Sequence, residues 1–289
     1  MKRCLICDGN NWGREIGVGK KFKYIFCRDC KNWILFPQGY KISIYNSKYF
    51  DNPSPKSPLI TSIYRLAFYR SYTKLIGHNI KKVGRILDVG CGDGNFLFDM
   101  ERFGWDVYGT DVTKSLSKKL FKRINRSNLY FGELYKIKKL KSSMVDCITF
   151  WHVAEHLKNP TLDFKKAFTI LKKKGTLFIE VPNGDSLIFK VFGMNYNWLC
   201  IPEHTIYWTK NGLNFFLYEI GFKKIDIYSV PKANLNFAFS FHTWLLHSGL
   251  SRNLSEILFI CSIPLSITVS FALSFIGKGE VLRVIAKKN

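Results

Sequence analysis

The chain is short of acidic residues. Its 289 residues include 21 Asp and Glu against 44 Lys and Arg, which gives a formal net charge of +23. This balance favours an anionic partner, either nucleic acid or an anionic membrane surface. A compositional bias that scatters solvated lysines over the surface produces the same count. Charge therefore indicates a class of partner without naming one.

The N-terminal segment also lacks the apolar stretch of a secretory signal peptide. Lys2 and Arg3 are basic, but the segment up to Asn11 lacks the apolar run that a secretory signal requires. We therefore expect the folded chain to face the cytosol and to be cytoplasmic, with peripheral contact to the cytoplasmic membrane face as a further option. In that compartment eight cysteines indicate metal binding or buried thiols rather than disulfides.

Four of the cysteines form two closely spaced pairs in residues 1–36. Cys4 and Cys7 make the first pair, Cys27 and Cys30 the second, and residues 8–26 separate them. Two such pairs are typical of thiolate knuckles that close on one tetrahedral zinc ion. We predict a structural zinc ribbon, because four thiolates leave no open ligand position for chemistry.

A glycine-rich turn lies at the centre of the chain. An apolar run ending at Val89 predicts a buried strand, and helical spacing resumes at Phe96. Glycines in the turn allow backbone amides to approach a ligand closely. The third glycine of the dinucleotide fingerprint is missing, because Asn95 occupies its position. A nicotinamide site and a purely structural turn are the weaker interpretations.

The run Asp88, Gly90, Gly92, Gly94 resembles the first motif of class I S-adenosylmethionine-dependent methyltransferases, with Asp111 closing the next strand. The resemblance implies that both ribose hydroxyls bind Asp111 and that the methionine portion passes the glycines, with Asp88 supporting its ammonium. It also implies that Glu133 contacts the adenine. A surface loop carboxylate is the alternative for Asp111.

Strand and helix patterns alternate after this turn, as in a doubly wound α/β sheet. Strands are predicted at 85–89, 107–110, 129–132, 145–151, 176–181, 222–230 and 281–287, with helices at 61–76, 114–124 and 160–172. Seven strands in this order resemble the Rossmann-like methyltransferase sheet, whose last strand runs antiparallel between the fifth and the sixth. The predicted domains are a zinc ribbon at 1–36, a linker at 37–60 and a methyltransferase domain at 61–289.

The segment after the predicted fourth strand resembles the ubiquinone-biosynthesis-like methyltransferases. It reads Phe-Trp-His-Val-Ala-Glu-His-Leu over residues 150–157. Ligands bind at the carboxyl ends of parallel strands, so His152, Glu155 and His156 are expected to face the cofactor or the substrate. A helix-start cluster that satisfies backbone amides is the alternative for Glu155 and His156. Trp151 is expected to form a wall of the cofactor pocket.

The loop after the predicted fifth strand contains a further candidate, His204. An imidazole titrates near pH 6.5, so His204 is our preferred general base, with His152 as the second catalytic candidate. A purely structural hydrogen bond from His204 to the loop is the alternative.

Residues 231–278 form an apolar insertion before the predicted last strand. Ile257 to Ile276 contain no formally charged residue and are long enough to span a membrane. Both flanking strands must join one sheet, so the chain has to return, and we predict two helices on or dipping into a bilayer. Serines recur every fourth residue from Ser262 to Ser274, which suits helix packing. A buried dimer interface or a hydrophobic lid is the alternative.

Together with the resemblance, these observations predict methyl transfer from S-adenosylmethionine to oxygen, with nitrogen and carbon as less favoured targets, on a small or lipid-linked acceptor such as a glycan or an isoprenoid intermediate. A ribosomal RNA methyltransferase is the enzyme alternative, since the net charge of +23 suits phosphate. The long apolar segment argues against an RNA groove, so nucleic acid is the less favoured partner. A non-catalytic scaffold is the alternative from another class, although the intact cofactor residues argue against it.

Overall fold

The structure, a computed structural model, describes residues 3–18, 21–39, 58–113, 124–125, 128–231 and 235–289. Most of the predicted linker and nearly all of the helix predicted at 114–124 lie outside these described residues. The described part begins with three short antiparallel strands, β1 (Trp12–Val18), β2 (Phe22–Cys27) and β3 (Trp33–Phe36). Strand β2 contains the alternating aromatic residues Phe22, Tyr24 and Phe26, which lead into the second cysteine pair.

A seven-stranded sheet forms the main body of the protein. Its strands are β4 (Arg85–Val89), β5 (Asp106–Asp111), β6 (Leu129–Phe131), β7 (Val145–Trp151), β8 (Leu171–Pro182), β10 (Lys224–Val230) and β11 (Val281–Lys287). Their order across the sheet is β10, β11, β8, β7, β4, β5, β6. The last strand, β11, runs antiparallel between β8 and β10, which confirms the predicted methyltransferase topology.

Helices cover both faces of this sheet, which explains the continuous apolar runs in its central strands. On one face α1 (Pro58–Asn79) and α2 (Asn95–Arg102) pack with Ile86 of β4. On the other face α3 (Pro160–Ile170) and α5 (Lys210–Ile220) pack with Leu87, the next residue along the strand. Successive side chains of β4 therefore enter different halves of the core. Strand β8 begins at Leu171, directly after α3, rather than at the predicted Thr176.

The cysteine-bearing strands are joined to the main body through a strand that the sequence did not predict. Strand β9 (Ile206–Tyr207) pairs with β3, so the first sheet has four strands in the order β1, β2, β3, β9. The Nε1–H of Trp33 donates to the carbonyl oxygen of Gly184, which follows β8 in the sequence of the main body. Cys4, Cys27 and Cys30 pack in the same hydrophobic cluster as Leu87 of the main sheet. The ribbon and the sheet therefore share a core.

Asn32 fastens the ribbon to α5. Its Oδ1 accepts a hydrogen bond from the backbone N–H of Thr209 at 2.9 Å, and its Nδ2 donates to the carbonyl of Cys30 at 2.9 Å. The Oγ1 of Thr209 donates to the carbonyl of Lys31 and accepts from the N–H of Gly212, which caps the helix. A Cβ on Gly212 would lie 2.2 Å from Oδ1 of Asn32, so only glycine fits there.

The apolar insertion forms two helices. They are α6 (Asn236–His247) and α7 (Arg252–Phe275), and they are joined by residues 248–251. The short helix α4 (Leu187–Phe192) lies between β8 and β9, and Phe192 packs edge-on against Phe237 of α6. Among the described residues α7 alone is long and apolar enough to cross a membrane. Its most apolar part has a mean hydropathy of 2.1, and only 22% of that part is buried.

Replacing Gly212 with alanine should destabilise the protein by about 1–3 kcal/mol, because the added methyl group collides with the side chain that joins the ribbon to α5. Urea unfolding of the full chain measures the effect. Gly77→Ala is the matched control, since Gly77 lies in helix α1 and a Cβ added there would meet open space. The control should be neutral or slightly stabilising. Equal stability of the two variants would contradict this account of the junction.

Candidate functional site

The glycine turn after β4 has the left-handed backbone that its composition predicts. Gly90, Gly92 and Gly94 have φ angles of 74°, 51° and 71°, which favour glycine at each position. A Cβ on Gly90 would lie 2.4 Å from Cγ2 of Val153. The turn therefore passes the segment after β7 at a distance that excludes any side chain.

Backbone hydrogen bonds attach this turn to the end of β5. The N–H groups of Gly90 and Cys91 both donate to the carbonyl oxygen of Thr110, at 2.7 and 2.9 Å. The N–H of Gly92 donates to Oδ2 of Asp111 at 3.0 Å, and the N–H of Thr113 donates to Oδ1 of the same carboxylate at 2.8 Å. Asp111 is therefore fixed by both oxygens, each of which has capacity for a further hydrogen bond.

A cleft of about 830 Å³ opens at the carboxyl ends of β4, β5 and β7. It is large enough for a nucleoside-sized ligand. Seven of the sequence-predicted residues line it, namely Gly90, Gly92, Asp111, Glu133, Trp151, His152 and His156. Sequence reasoning missed part of the wall, including Thr113, Lys136, Lys158 and Asp163. Thr113, Lys136 and Lys158 follow strands β5, β6 and β7, and Asp163 lies in the first turn of α3, so no spacing pattern marks them.

Two predicted cofactor residues lie behind the cleft rather than in its wall. The Asp88 carboxyl is 3% exposed and accepts a 2.6 Å hydrogen bond from Oγ1 of Thr149 on the neighbouring strand. Burial raises the pKa of Asp88 to about 8. Gly94 stands at the start of α2, where its N–H donates to the carbonyl of Cys91. Both residues therefore support the turn without lining the cleft.

The remaining cofactor candidates, Trp151 and Glu133, both line the cleft. Trp151 stacks on Tyr72 of α1 with ring centroids 3.9 Å apart, and its buried Nε1–H has no hydrogen-bond partner among the described residues. Glu133 forms an ion pair with Lys136 at the mouth. The hydrogen bond from Lys136 lowers the pKa of Glu133, so its carboxylate is ionised at neutral pH. An aromatic wall and an acidic group thus face one cavity.

His152 lies between two buried carboxylates. Its Nε2 is 3.2 Å from Oε1 of Glu180, and its Nδ1 is 3.5 Å from Oε1 of Glu155. The two glutamate side chains are 0% and 1% exposed, whereas the side chain of His152 is 26% exposed at the cleft. His152 also has a φ angle of 55°, and its backbone N–H donates to the carbonyl of Glu180. Strand β7 therefore ends in a turn that presents this imidazole to the cavity.

Glu180 belongs to a network that sequence reasoning did not find. Its Oε1 accepts a 2.7 Å hydrogen bond from the hydroxyl of Tyr72, and its Oε2 accepts from Nε and Nη2 of Arg283 at 2.9 and 2.6 Å. Arg283 lies opposite Glu180 in the pairing of β11 with β8. This ion pair is fixed by the register of two strands distant in sequence, so no local motif reveals it.

His204 lies outside the cleft wall. It is 6% exposed, and its Nδ1 is 3.3 Å from the hydroxyl of Tyr207. Burial lowers the pKa of His204 to about 3, so its ring is neutral. Its carbonyl oxygen accepts a 2.6 Å hydrogen bond from the hydroxyl of Tyr24 in the ribbon. This position fits the structural alternative that the sequence left open for His204.

Glu155 is buried beside three imidazoles. Neither of its oxygens forms a hydrogen bond within the described part of the chain, and burial alone would raise its pKa. The nearby His152, His156 and His204 nevertheless hold the pKa of Glu155 below its usual value. Glu155 is therefore a buried anion. Its backbone carbonyl also accepts from the N–H of Thr205, which ties the segment after β7 to the loop before β9.

The four N-terminal cysteines come together as predicted. The Sγ atoms of Cys4 and Cys30 are 3.7 Å apart, as are those of Cys7 and Cys27. All four sulfurs lie within 4.8 Å of one another. A tetrahedral zinc ion with Zn–S bonds of about 2.3 Å requires sulfur–sulfur distances of about 3.8 Å, so the arrangement fits that ion.

Comparison with known proteins supports the same fold. A family model described as a methyltransferase domain matches residues 62–227, more than half of the chain. A ubiquinone biosynthesis O-methyltransferase from Pelagibacter ubique is 28% identical over 179 residues, which cover 58% of this chain and 72% of that protein. The enzyme of the same name from Acinetobacter baumannii (strain ACICU) is 26% identical over 128 residues. The match covers 42% of this chain and 54% of that protein, so the chain spans about half the length of this relative.

Solved structures extend the match over most of the chain. A SAM-dependent methyltransferase from Archaeoglobus fulgidus superposes with a TM-score of 0.56 at 19% identity, covering 80% of this chain and 98% of the other. A Pyrococcus horikoshii protein gives a TM-score of 0.55 at 16% identity, with coverage of 87% and 100%. The glycine turn, the sheet order and these matches agree. The chain belongs to the methyltransferase domain family and has the fold of the S-adenosylmethionine-dependent methyltransferases.

Proposed function

We propose that the protein transfers a methyl group from S-adenosylmethionine to an oxygen atom of a small or lipid-linked acceptor. The observation that carries this proposal is the position of His152, which faces the cofactor-sized cleft between two buried glutamates. The sulfonium of the donor supplies an activated methyl group. The protein then has to align the acceptor, exclude water and remove a proton from the acceptor.

The cleft residues fit the methyl donor. Asp111 has acceptor capacity for two ribose hydroxyls, and Gly90 and Gly92 line the cleft without side chains, which leaves room for the methionine portion. Trp151 and Glu133 would border the adenine, with Trp151 offering a flat apolar wall. Asp88 would act on the ammonium group from behind the turn, through the backbone or through water.

His152 is the proposed general base. An acceptor hydroxyl loses its proton as the methyl group arrives, and an imidazole at the cleft surface can take that proton. Glu155 and Glu180 orient the ring and stabilise the imidazolium that forms, because both carboxylates lie in a low-dielectric interior. His204 is assigned instead to positioning, since it joins the loop before β9 to the ribbon.

Oxygen is favoured as the target atom by the relatives. Those from Pelagibacter and Acinetobacter are named ubiquinone biosynthesis O-methyltransferases, a name that specifies transfer to oxygen. The chain also resembles that family in the residues after β7. We therefore propose an isoprenoid or glycan intermediate as the acceptor class.

A structural zinc ion is proposed for the ribbon. The ion would be held by the four sulfurs of Cys4, Cys7, Cys27 and Cys30, which lie at tetrahedral spacing and leave no position open to substrate. The ion would fix β2 and β3, and through β9 it would fix the loop that carries His204. Its proposed role is therefore to support the acceptor side of the cleft.

Asp111→Asn should weaken S-adenosylmethionine binding about tenfold or more, because one charge-assisted acceptor for a ribose hydroxyl is lost. Isothermal titration calorimetry measures the affinity. Asp106→Asn is the matched control, since Asp106 begins the same strand and forms an exposed ion pair with Arg85. Binding by the control should be unchanged. If both variants bind like the native protein, Asp111 is not a cofactor residue.

His152→Asn should lower turnover about a hundredfold or more without weakening cofactor binding. Asparagine tolerates the positive φ angle of this position, so the backbone is retained. The assay follows radiolabelled methyl transfer into cell extract that is then separated into RNA, lipid and small-molecule fractions.

Label should enter the lipid or small-molecule fraction and should disappear with His152→Asn but not with His78→Asn, an exposed histidine in α1. Label in the RNA fraction would support the RNA alternative and overturn the proposed acceptor class. Unchanged turnover of His152→Asn would remove this residue from the mechanism. A native protein that binds no cofactor would favour the scaffold alternative.

Purified protein should contain about one zinc ion per chain, and Cys27→Ser should lose it. Metal content is measured by atomic emission and stability by thermal unfolding. Because metal binding supplies much of the folding free energy of so small a segment, the variant should also melt at a lower temperature. Cys261→Ser, at an exposed position on α7, should retain the metal. A metal-free native protein of equal stability would contradict the zinc assignment.

A further inference from the structure

Helix α7 has an inverted distribution of side chains for a helix in water. The serines at positions 255, 262, 266, 270 and 274 are its buried residues. The opposite face exposes Ile257, Ile260, Ile267, Phe271 and Phe275, with exposed fractions from 43% to 90%. Small polar side chains thus pack against the protein while large apolar side chains point outward. That arrangement suits contact with lipid and helix packing through small residues.

The insertion is anchored at both ends to the main body of the protein. Strand β10 ends at Val230 before the two helices and β11 begins at Val281 after them, so both ends return to one sheet. After α7 the chain is held by Asn183, whose Nδ2 donates to the carbonyl of Gly279 at 2.6 Å. The N–H of Leu187 also donates to the carbonyl of Lys278. A single crossing by α7 would separate the two strands.

We propose that α6 and α7 form a hairpin that seats the protein on an anionic membrane surface and admits a lipid-linked acceptor to the cleft. This inference rests on the proposed methyl transfer and specifies where its acceptor enters. The occupant of the apolar face is the lipid bilayer. Helix α6, which contacts α7 through Phe239 and Phe259, also exposes Trp244 to 44%, and tryptophan favours the membrane–water boundary.

Charge complementarity supports an anionic bilayer over a second copy of the chain. No formally charged residue lies between Ile257 and Ile276; Arg252, which is ion-paired with Glu256 at 3.0 Å, precedes this run, and Lys278 follows it. Lys278 is exposed, so its long side chain can reach lipid phosphates while the helix lies in the interface. The net charge of +23 adds attraction to an anionic surface and opposes association of two identical chains.

Hydrogen bonds link the hairpin to the cleft. The N–H of Asn197 donates to Oγ of Ser240 at 3.0 Å, and its Nδ2 donates to Oδ1 of Asn236 at 3.1 Å. The next residue, Trp198, has its ring 5.8 Å from the ring of His152, centroid to centroid. The membrane-facing hairpin is therefore one short loop away from the proposed base. A lipid-linked acceptor held at the bilayer would meet the cleft along this loop.

Vesicle flotation tests the proposal without requiring methyl transfer. The native chain should float with phosphatidylglycerol-containing vesicles and bind pure phosphatidylcholine vesicles more weakly. The double substitution Ile260→Glu and Phe271→Glu should reduce vesicle affinity about a hundredfold, because two large apolar side chains no longer enter the interface. Both side chains are exposed, so the fold should persist, as circular dichroism checks.

Phe215→Glu is the matched control, because Phe215 is an equally exposed aromatic residue on α5, away from the hairpin. This variant should float like the native chain. A native chain that stays with the soluble fraction, or a double variant that floats as well as the control, overturns the proposal. Calorimetry of S-adenosylmethionine binding, which all three proteins should retain, separates that outcome from failure of the proposed methyl transfer.

Discussion

The geometry of the site depends on the hydrogen bonds between the glycine turn and the end of β5. The N–H groups of Gly90 and Cys91 converge on one carbonyl, that of Thr110, and the N–H of Gly92 fixes the carboxylate of Asp111. These bonds form only if the backbone adopts positive φ angles and if no Cβ separates the turn from Val153. The turn therefore depends on glycine, which has no Cβ, at these positions. The same turn sets the distance from β4 to the segment carrying His152.

A second constraint comes from charge in the interior. Glu155 and Glu180 are both buried, and each is stabilised by cationic or donor groups that arrive from different elements. Glu180 receives Arg283 from β11 and Tyr72 from α1, whereas Glu155 lies among histidines. An unpaired buried carboxylate would be costly, so these partners hold the elements in register as well as orienting His152. The proposed base is therefore supported by the fold as a whole.

Much of the fold follows from local patterns. The glycine spacing, the apolar strands and the paired cysteines predict the sheet, the turn and the thiolate cluster, because each depends on residues close in sequence. The resemblance supplies the position of β11. Strand β9 could not be predicted because two residues are too few to show an alternating pattern. The Glu180–Arg283 pair could not be predicted because it depends on the register of two strands that are distant in sequence. The position of His204 depends on its contacts with Tyr24 and Tyr207. Tyr24 is distant in sequence, and the sequence near Tyr207 does not indicate that this residue contacts His204.

The ribbon, the cleft and the hairpin meet on the loop between β8 and α5. This loop pairs with the ribbon through β9, hydrogen-bonds to α6 through Asn197 and places Trp198 beside His152. The central claim is that the cleft beside it binds the methyl donor. A crystal structure with S-adenosylhomocysteine tests this most directly. We expect both ribose hydroxyls to lie on Asp111 and the sulfur to point toward His152. A ligand bound elsewhere, or with its ribose away from Asp111, would contradict the assignment of this cleft.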